Sequence, residues 1–202
     1  MRHVNTAMTI GAIFDFDGTI TNRDTLLDFL VFSRGWPRVA LGAMVLSPTL
    51  TLYALGVIDN TKAKEKVLIY FFSGMNAQVL EQIGREYAHT RIPRIIRPKA
   101  AERMQWHKRE GHRVLIVTAS PELWVKPWAE SLGVEFVATR LEIVAGKLTG
   151  KIEGPNCYGA EKVKRVREAV DLESLSYVYA YGNSNGDREM LGLADESFYR
   201  AF

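Results

Sequence analysis

The feature that most constrains this chain is an apolar run, residues 9–16, that closes on paired carboxylates in the segment Asp15-Phe16-Asp17-Gly18-Thr19. A run this apolar, cut off by a turn signal, reads as a strand buried on both faces, the kind found in parallel sheets covered by helices. In an extended segment residues i and i+2 share a face, so Asp15 and Asp17 project together while Phe14 and Phe16 point elsewhere. Gly18 permits a tight departure of the backbone, and Thr19 is placed to hydrogen-bond that turn. Taken alone, the segment suits an acid pair in a catalytic site, a sugar-nucleotide metal site or a surface turn.

Similar runs recur at 113–117 and 177–181, short and rich in β-branched or aromatic residues, each leading into small polar residues. Helical spacing at 122–132 and 160–170 completes the βαβ rhythm of a doubly wound domain. Residues 134–139 read as a further strand, and 141–144 with 147–152 as a hairpin turned at Ala145-Gly146 near the sheet edge. Between 22 and 110 the apolar spacing instead gives helices near 25–33, 37–57, 62–72, 77–90 and 98–110. The predicted fold class is therefore α/β. A Rossmann-like parallel-sheet core is expected from 1–21 and 111–202, with an all-helical cap inserted at 22–110. An insert at that point sits above the carboxyl ends of the strands, where open α/β sheets bind ligands, and can serve as a lid.

With 202 residues, 47% hydrophobic and 24% charged, the chain is long enough for this plan and is neither disordered nor fibrous. Cys157 is the only cysteine, which excludes an internal disulfide framework or a multi-thiolate metal site and suits a reducing, cytoplasmic setting. Residues 1–10 contain Arg2, His3 and Asn5 and no apolar stretch of signal-peptide length, so no export signal is read. The net charge of +3 is mildly basic, with cations clustered between Arg91 and Arg113. Because Ala100, Met104 and His107 recur there at helical spacing, that stretch reads as a solvated helix face, and no nucleic-acid partner is expected.

From Val39 to Ile58 no charged residue occurs, a length close to the roughly 20 residues that cross a bilayer. A single crossing would put Asp15 and the later motifs on opposite sides of a membrane. The expectation is a buried cap helix, with a re-entrant hairpin broken near Ser47-Pro48 or a peripheral contact with a membrane surface as the alternatives.

Three further segments carry polar groups at predicted strand or helix ends. The strand of 113–117 delivers Thr118, Ala119 and Ser120 just before Pro121, where a hydroxyl and neighbouring N–H groups suit phosphate oxygens or merely cap a helix. Gly154-Pro155-Asn156-Cys157-Tyr158-Gly159 opens a helix with Lys162 in its first turn. A cation there opposes the helix dipole and hints at an anionic partner, unless Lys162, like Lys164 and Arg165, is a surface charge. Tyr181-Gly182-Asn183-Ser184-Asn185-Gly186-Asp187 supplies hard oxygen ligands of the type Mg²⁺ prefers, or an ordinary Asn/Gly turn.

Taken together, the DFDGT segment, the strand ending in Thr118, Lys162 after the GPNCYG loop and the GNSNGD segment resemble the haloacid dehalogenase (HAD) superfamily. The match is specifically to its phosphoserine-phosphatase-like branch, subfamily IB, with a helical cap after the first motif, and it covers nearly the whole chain. The resemblance implies a Mg²⁺-dependent phosphatase in which Asp15 is the nucleophile and Asp17 the acid and base. It further implies that Thr118, Ala119 and Lys162 bind the phosphoryl group and that Asp15, Asp17, Asn183 and Asp187 form the metal site. This chain departs from the family at Asn183, where an aspartate is usual, which removes one negative charge from the metal set.

The implied substrate is a small or amphiphilic organic phosphate. A lipid-linked phosphate, as in phosphatases of the phosphatidylglycerophosphatase type, suits the uncharged run. Phosphoserine is disfavoured, because residues 118–122 lack the Gly-Gly that usually follows the serine. A receiver-like signalling module also gathers acids, a Thr/Ser and a Lys around a phosphorylated aspartate, but it carries no helical insert like 22–110.

Overall fold

A computed structural model describes residues 9–202, so the segment 1–8, most of the stretch in which no export signal is read, lies outside the described residues. The strand expected at 9–16 forms as β1 (Thr9–Phe14) and stops at Phe14, because Asp15 already leaves the sheet into the turn. Five helices follow, α1 (Thr25–Arg34), α2 (Trp36–Ala54), α3 (Asn60–Phe72), α4 (Ala77–Thr90) and α5 (Pro98–Arg109). Then come β2 (Arg113–Pro121), α6 (Glu122–Leu132), β3 (Glu135–Val144), β4 (Lys147–Glu153) and α7 (Ala160–Ala169). The chain closes with β5 (Leu175–Gly182), α8 (Arg188–Leu191) and β6 (Glu196–Tyr199).

The six strands are ordered β4-β3-β2-β1-β5-β6, parallel except for the β3–β4 hairpin, whose turn residues Ala145 and Gly146 both have positive φ. That is the signature of the tight turns that fit strand twist. The segments expected as separate strands at 134–139 and 141–144 are one continuous strand. β6 was not expected, since Glu196-Ser197-Phe198-Tyr199 is too short and too polar to stand out, yet an edge strand needs no more. From β1 the chain winds outward through β2, β3 and β4 on one side, and β5 and β6 fill the other. The switch point therefore falls between the carboxyl ends of β1 and β5, the crevice in which such sheets bind ligands.

The continuous apolarity of β1 has a simple cause. Ala12 and Phe14 face one core with Phe29, Leu80 and Trp124, while Ile13 faces the other with Leu115, Val178 and Met190. The first core is shared with the helical block, as Phe29 of α1 stacks on Trp124 of α6 at 4.3 Å. Trimming such a buried aromatic to alanine costs about 3–5 kcal/mol. α3 lies directly on β4, where a Cβ at Gly150 would meet the Ile69 Cα at 2.4 Å, so only glycine permits that approach. Asp28 clamps α1 to α4, accepting from Arg91 Nε and Nη2 at 2.9 and 2.8 Å and from the Tyr87 hydroxyl at 3.0 Å. Although burial works against it, these donors hold the Asp28 carboxyl below its usual range.

The inner face of α5 is the expected Ala100, Met104 and His107. His107 is sealed between His112, at 2.8 Å from its Nδ1, and the Tyr181 hydroxyl, at 3.0 Å from its Nε2. Burial, then the neighbouring His112 and Arg103, push it down to about 4, so it is neutral.

Helix α2 corrects the expectation for the uncharged run. It is neither a buried cap helix nor a hairpin broken at Ser47-Pro48. Only Val39, Gly42 and Leu46 are buried, a single stripe, and the rest of the helix is solvent-facing. It runs unbroken through Pro48, whose ring removes the N–H that would bond the Met44 carbonyl. The Ser47 hydroxyl supplies the missing donor to Met44 O at 2.8 Å. Among the described residues no helix is long and apolar enough to cross a membrane.

Candidate functional site

At the switch point three strand ends and one helix start bring their polar residues together. β1 hands over to Asp15, whose N–H still bonds Tyr181 O of β5 at 2.9 Å, so the sheet fixes the position of the first carboxylate. Gly18 turns the chain with φ +78, and a Cβ there would lie 2.2 Å from Asn183 Nδ2, so the turn is packed against the β5 loop. The hydroxyl that bonds this turn is that of Thr21, which accepts the Gly18 N–H at 3.3 Å, while the Thr19 hydroxyl, expected in that place, donates instead to Asp15 Oδ2 at 2.9 Å.

Lys162 enters from the first turn of α7, and its ammonium lies 2.6 Å from both Asp15 Oδ1 and Asp187 Oδ1. It is 2% exposed, which removes the reading of Lys162 as a surface charge. Burial alone would lower the lysine, but the two carboxylates outweigh it and hold the ammonium above its ordinary value. Asp187 is held low by the same lysine and by Ser184, against its own burial. Its Oδ2 gathers the N–H groups of Asn183 and Ser184 at 3.1 and 2.8 Å and the Ser184 hydroxyl at 2.7 Å. Asp187 thus ties its own loop to the lysine.

Asp17 is positioned separately. Its Oδ1 accepts the Thr25 N–H at 2.7 Å, and its Oδ2 accepts the Ser120 hydroxyl at 2.6 Å and the Thr118 hydroxyl at 3.4 Å. The helix-cap reading of Thr118 and Ser120 does not hold. The residue before α6 is Pro121, with no side-chain cap bond, and both hydroxyls turn toward Asp17 instead. Burial raises both acids. Asp15 is pushed up to about 6 by desolvation, even beside Lys162, with Asp187 and Asp17 adding to the rise. Asp17 is raised by burial and by Asp24, against its hydrogen bonds from Ser120 and Thr25. Three carboxylates around one ammonium leave the floor short of positive charge.

Among the described residues no three His, Cys, Asp or Glu side chains form a cation cluster by themselves, so a metal here would need further oxygen donors. One is on hand. Asn183 Oδ1 is buried without a hydrogen-bond partner, an orphaned acceptor beside buried acids of raised pKa. A hard divalent cation fits that donor set and that charge deficit.

The predicted Asp15, Asp17, Thr118, Ala119, Lys162 and Asn183 all line one cavity of about 470 Å³, with Asp187 behind Lys162. The roof comes from the helical block through Leu50, Tyr53, Asn60, Lys64 and Val67. Lys64 was missed from sequence. Its ammonium donates to the Ala119 carbonyl and, at 3.2 Å, to Asn156 Oδ1, and burial lowers it to about 8 despite nearby Asp17 and Asp24. The available signal was spacing, since Asn60, Lys64 and Val67 fall on one helix face while Lys62 and Lys66 do not. Asn156 extends this contact, donating to Asn60 Oδ1 at 3.0 Å and accepting from Thr139 at 3.0 Å. Cys157 is buried beside it, with its thiol pushed up to about 11, and is chemically quiet.

A doubly wound core that gathers this acid pair, lysine and Asn/Asp loop at its switch point fits a hydrolase fold. The chain belongs to the haloacid dehalogenase-like hydrolases, whose family model matches residues 12–192. It is 37% identical over 193 residues to Protein CicA of Caulobacter vibrioides (strain NA1000 / CB15N), covering 94% of this chain and 85% of that one. It is 30% identical over 186 residues to the probable phosphatase Rv3661 of Mycobacterium tuberculosis (strain ATCC 25618 / H37Rv), covering 89% of this chain and 64% of that one. A phosphoserine phosphatase solved as an analogue of its phospho-aspartyl intermediate superposes with a TM-score of 0.66 at 21% identity, over 95% of this chain and 86% of that one. At that identity the superposition speaks for the fold.

Proposed function

We propose that the chain is a Mg²⁺-dependent phosphomonoester hydrolase that works through an aspartyl-phosphate on Asp15. The observation that carries this reading is the buried Asp15 carboxylate, oriented by Thr19 and Lys162 at the floor of a cavity, with a second acid, Asp17, independently held beside it. Asp15 attacks phosphorus as the ester P–O bond breaks, and Asp17, whose raised pKa suits a proton carrier, protonates the leaving oxygen. Asp17 then takes a proton from water as that water attacks phosphorus, releasing phosphate and regenerating Asp15. Thr118, the Ala119 N–H and Lys162 hold the phosphoryl oxygens. Asp15, Asn183 and the Asp17 carbonyl would hold the metal, with Asp187 acting through water, and the bound cation supplies charge neutralisation of the phosphate.

The substrate reading follows from the roof. Leu26, Leu50, Tyr53 and Val67 give the cavity an apolar half opposite its ionic half, which suits an amphiphilic phosphate, including a lipid-linked one, better than phosphoserine. The helical block 22–110 then acts as the cap that selects the leaving group. The test is hydrolysis of a panel of soluble and lipid phosphates with and without Mg²⁺. The reading expects metal-dependent phosphate release, highest on amphiphilic esters and lost in Asp15→Asn. Full activity of that variant would overturn it.

A further inference from the structure

We propose that the outer face of α2 is a docking surface for an anionic lipid bilayer. An amphipathic surface helix buries one stripe and offers charge on the other. α2 breaks that rule. Its buried stripe is Val39, Gly42 and Leu46, and the opposite stripe, Leu41, Met44, Val45, Pro48, Leu52 and Leu55, follows the same helical spacing but is bare. Met44 is 73% and Leu55 72% exposed, and no charge interrupts the surface from Val39 to Ile58. A contiguous apolar face of this kind on a folded protein marks a contact surface.

Charge at one end of the stripe selects the partner. Arg34 and Arg38 share a recess of about 440 Å³ with Leu41, Tyr70 and Phe71, and neither forms an ion pair among the described residues. Arg34 is already pinned, its Nη2 donating to the Phe71 carbonyl and to Met75 Sδ at 3.0 Å and its guanidinium lying 5.1 Å over the Phe72 ring. It therefore adds fixed positive charge beside Arg38, whose guanidinium is the one left to meet a lipid phosphate at the headgroup level while the stripe meets the acyl boundary. Trp36, 66% exposed at the helix start, is the residue type that anchors at that depth.

The same helix supplies Leu50 and Tyr53 to the cavity roof from the face opposite the docking stripe, so α2 itself stands between a docked bilayer and the cavity. Docking itself stands on α2 and its arginines. Its value for catalysis rests on the hydrolase reading above, in which an amphiphilic phosphate would pass from the bilayer to Asp15.

The test is co-sedimentation of the full chain with phosphatidylcholine vesicles with and without phosphatidylglycerol, alongside hydrolysis of a soluble phosphate. Binding to the phosphatidylglycerol vesicles is expected, weaker at high salt. The double variant Met44→Ser/Leu55→Ser should weaken it by about tenfold or more, and Arg38→Gln several-fold on anionic vesicles alone. None of these residues lines the cavity, so soluble-phosphate hydrolysis should be unchanged in both variants. Wild-type protein left in the supernatant, or variants that bind as tightly as wild type, would overturn the proposal. So would a dimer, dissociated by Met44→Ser/Leu55→Ser, that does not bind vesicles. Vesicle binding by a protein that hydrolyses no phosphate would uphold the docking and defeat the catalytic reading instead.

Discussion

The floor of the cavity and its roof solve opposite problems. On the floor, Asp15, Asp17 and Asp187 are each held by two or more donors, and a single buried lysine bridges two of them. On the roof, Leu50, Tyr53 and Val67 offer surface and little direction, and charged side chains come from Lys64 and, at the start of α1, Asp24. A floor fixed by hydrogen bonds can position a reacting atom, while a roof fixed by packing can only favour one shape or polarity over another. In the proposed function chemistry belongs to the floor and choice of substrate to the roof, and substitutions in each should separate the two.

The largest effect is expected at the nucleophile. Asp15→Asn should lower kcat by about 10⁴-fold or more, measured on any substrate the wild type accepts. The same variant should melt at a higher temperature than wild type in metal-free buffer at alkaline pH. The folded carboxyl titrates near 6, above its ordinary 3.8, so its ionised form is disfavoured in the fold above that range and the cost fades as pH falls from 6 toward 3.8. An unchanged or lower melting temperature would break the link between burial and readiness to react.

Next comes Lys162→Met, which leaves two buried carboxylates without their shared partner. Loss of a buried ion-pair member costs about 3–5 kcal/mol, so chemical denaturation should detect it at neutral pH, and added Mg²⁺ should restore part of the loss. Asn183→Asp adds the missing negative charge, and we expect Mg²⁺ to raise the melting temperature at about tenfold lower concentration than in wild type. If the midpoint does not move, Asn183 is not a ligand.

Roof substitutions should be milder and selective. Leu50→Ala is expected to raise KM for a long-chain phosphate by about tenfold or less while leaving kcat and a short soluble phosphate nearly unchanged. Equal effects on both substrates would erase the division of labour between the two halves. The smallest effect lies behind the sheet at His107, which is held near 4 in the fold against 6.5 ordinarily. Between those values the unfolded chain binds the extra proton, so stability falls as pH drops through that window, and His107→Gln should flatten the fall. Asp15 slopes the opposite way there, so the difference between wild type and variant is the quantity to read.

Much of the floor was legible because each of its parts is local. Asp15, Thr118, Lys162 and Asn183 each sit at the end of a strand or the start of a helix that periodicity marks, and the parallel sheet then delivers those ends to one place. The roof was not legible in the same way. Lys64 becomes part of the site only because α3 lies on β4 at Gly150, a tertiary contact with no local signature. For α2, absence of charge reads as burial, whereas a helix apolar on two sides can bury one and expose the other. Ser120 and Thr19 looked like turn and cap residues, and their hydroxyls instead hold Asp17 and Asp15.

The most direct test of the central claim is to mix enzyme, Mg²⁺ and a phosphate ester, quench in acid within one turnover and map the labelled peptide by mass spectrometry. The account predicts one phosphoryl group on the peptide carrying Asp15, absent in Asp15→Asn. A phosphoryl group on another residue, or rapid phosphate release with no protein-bound phosphoryl group at any time point, would contradict it.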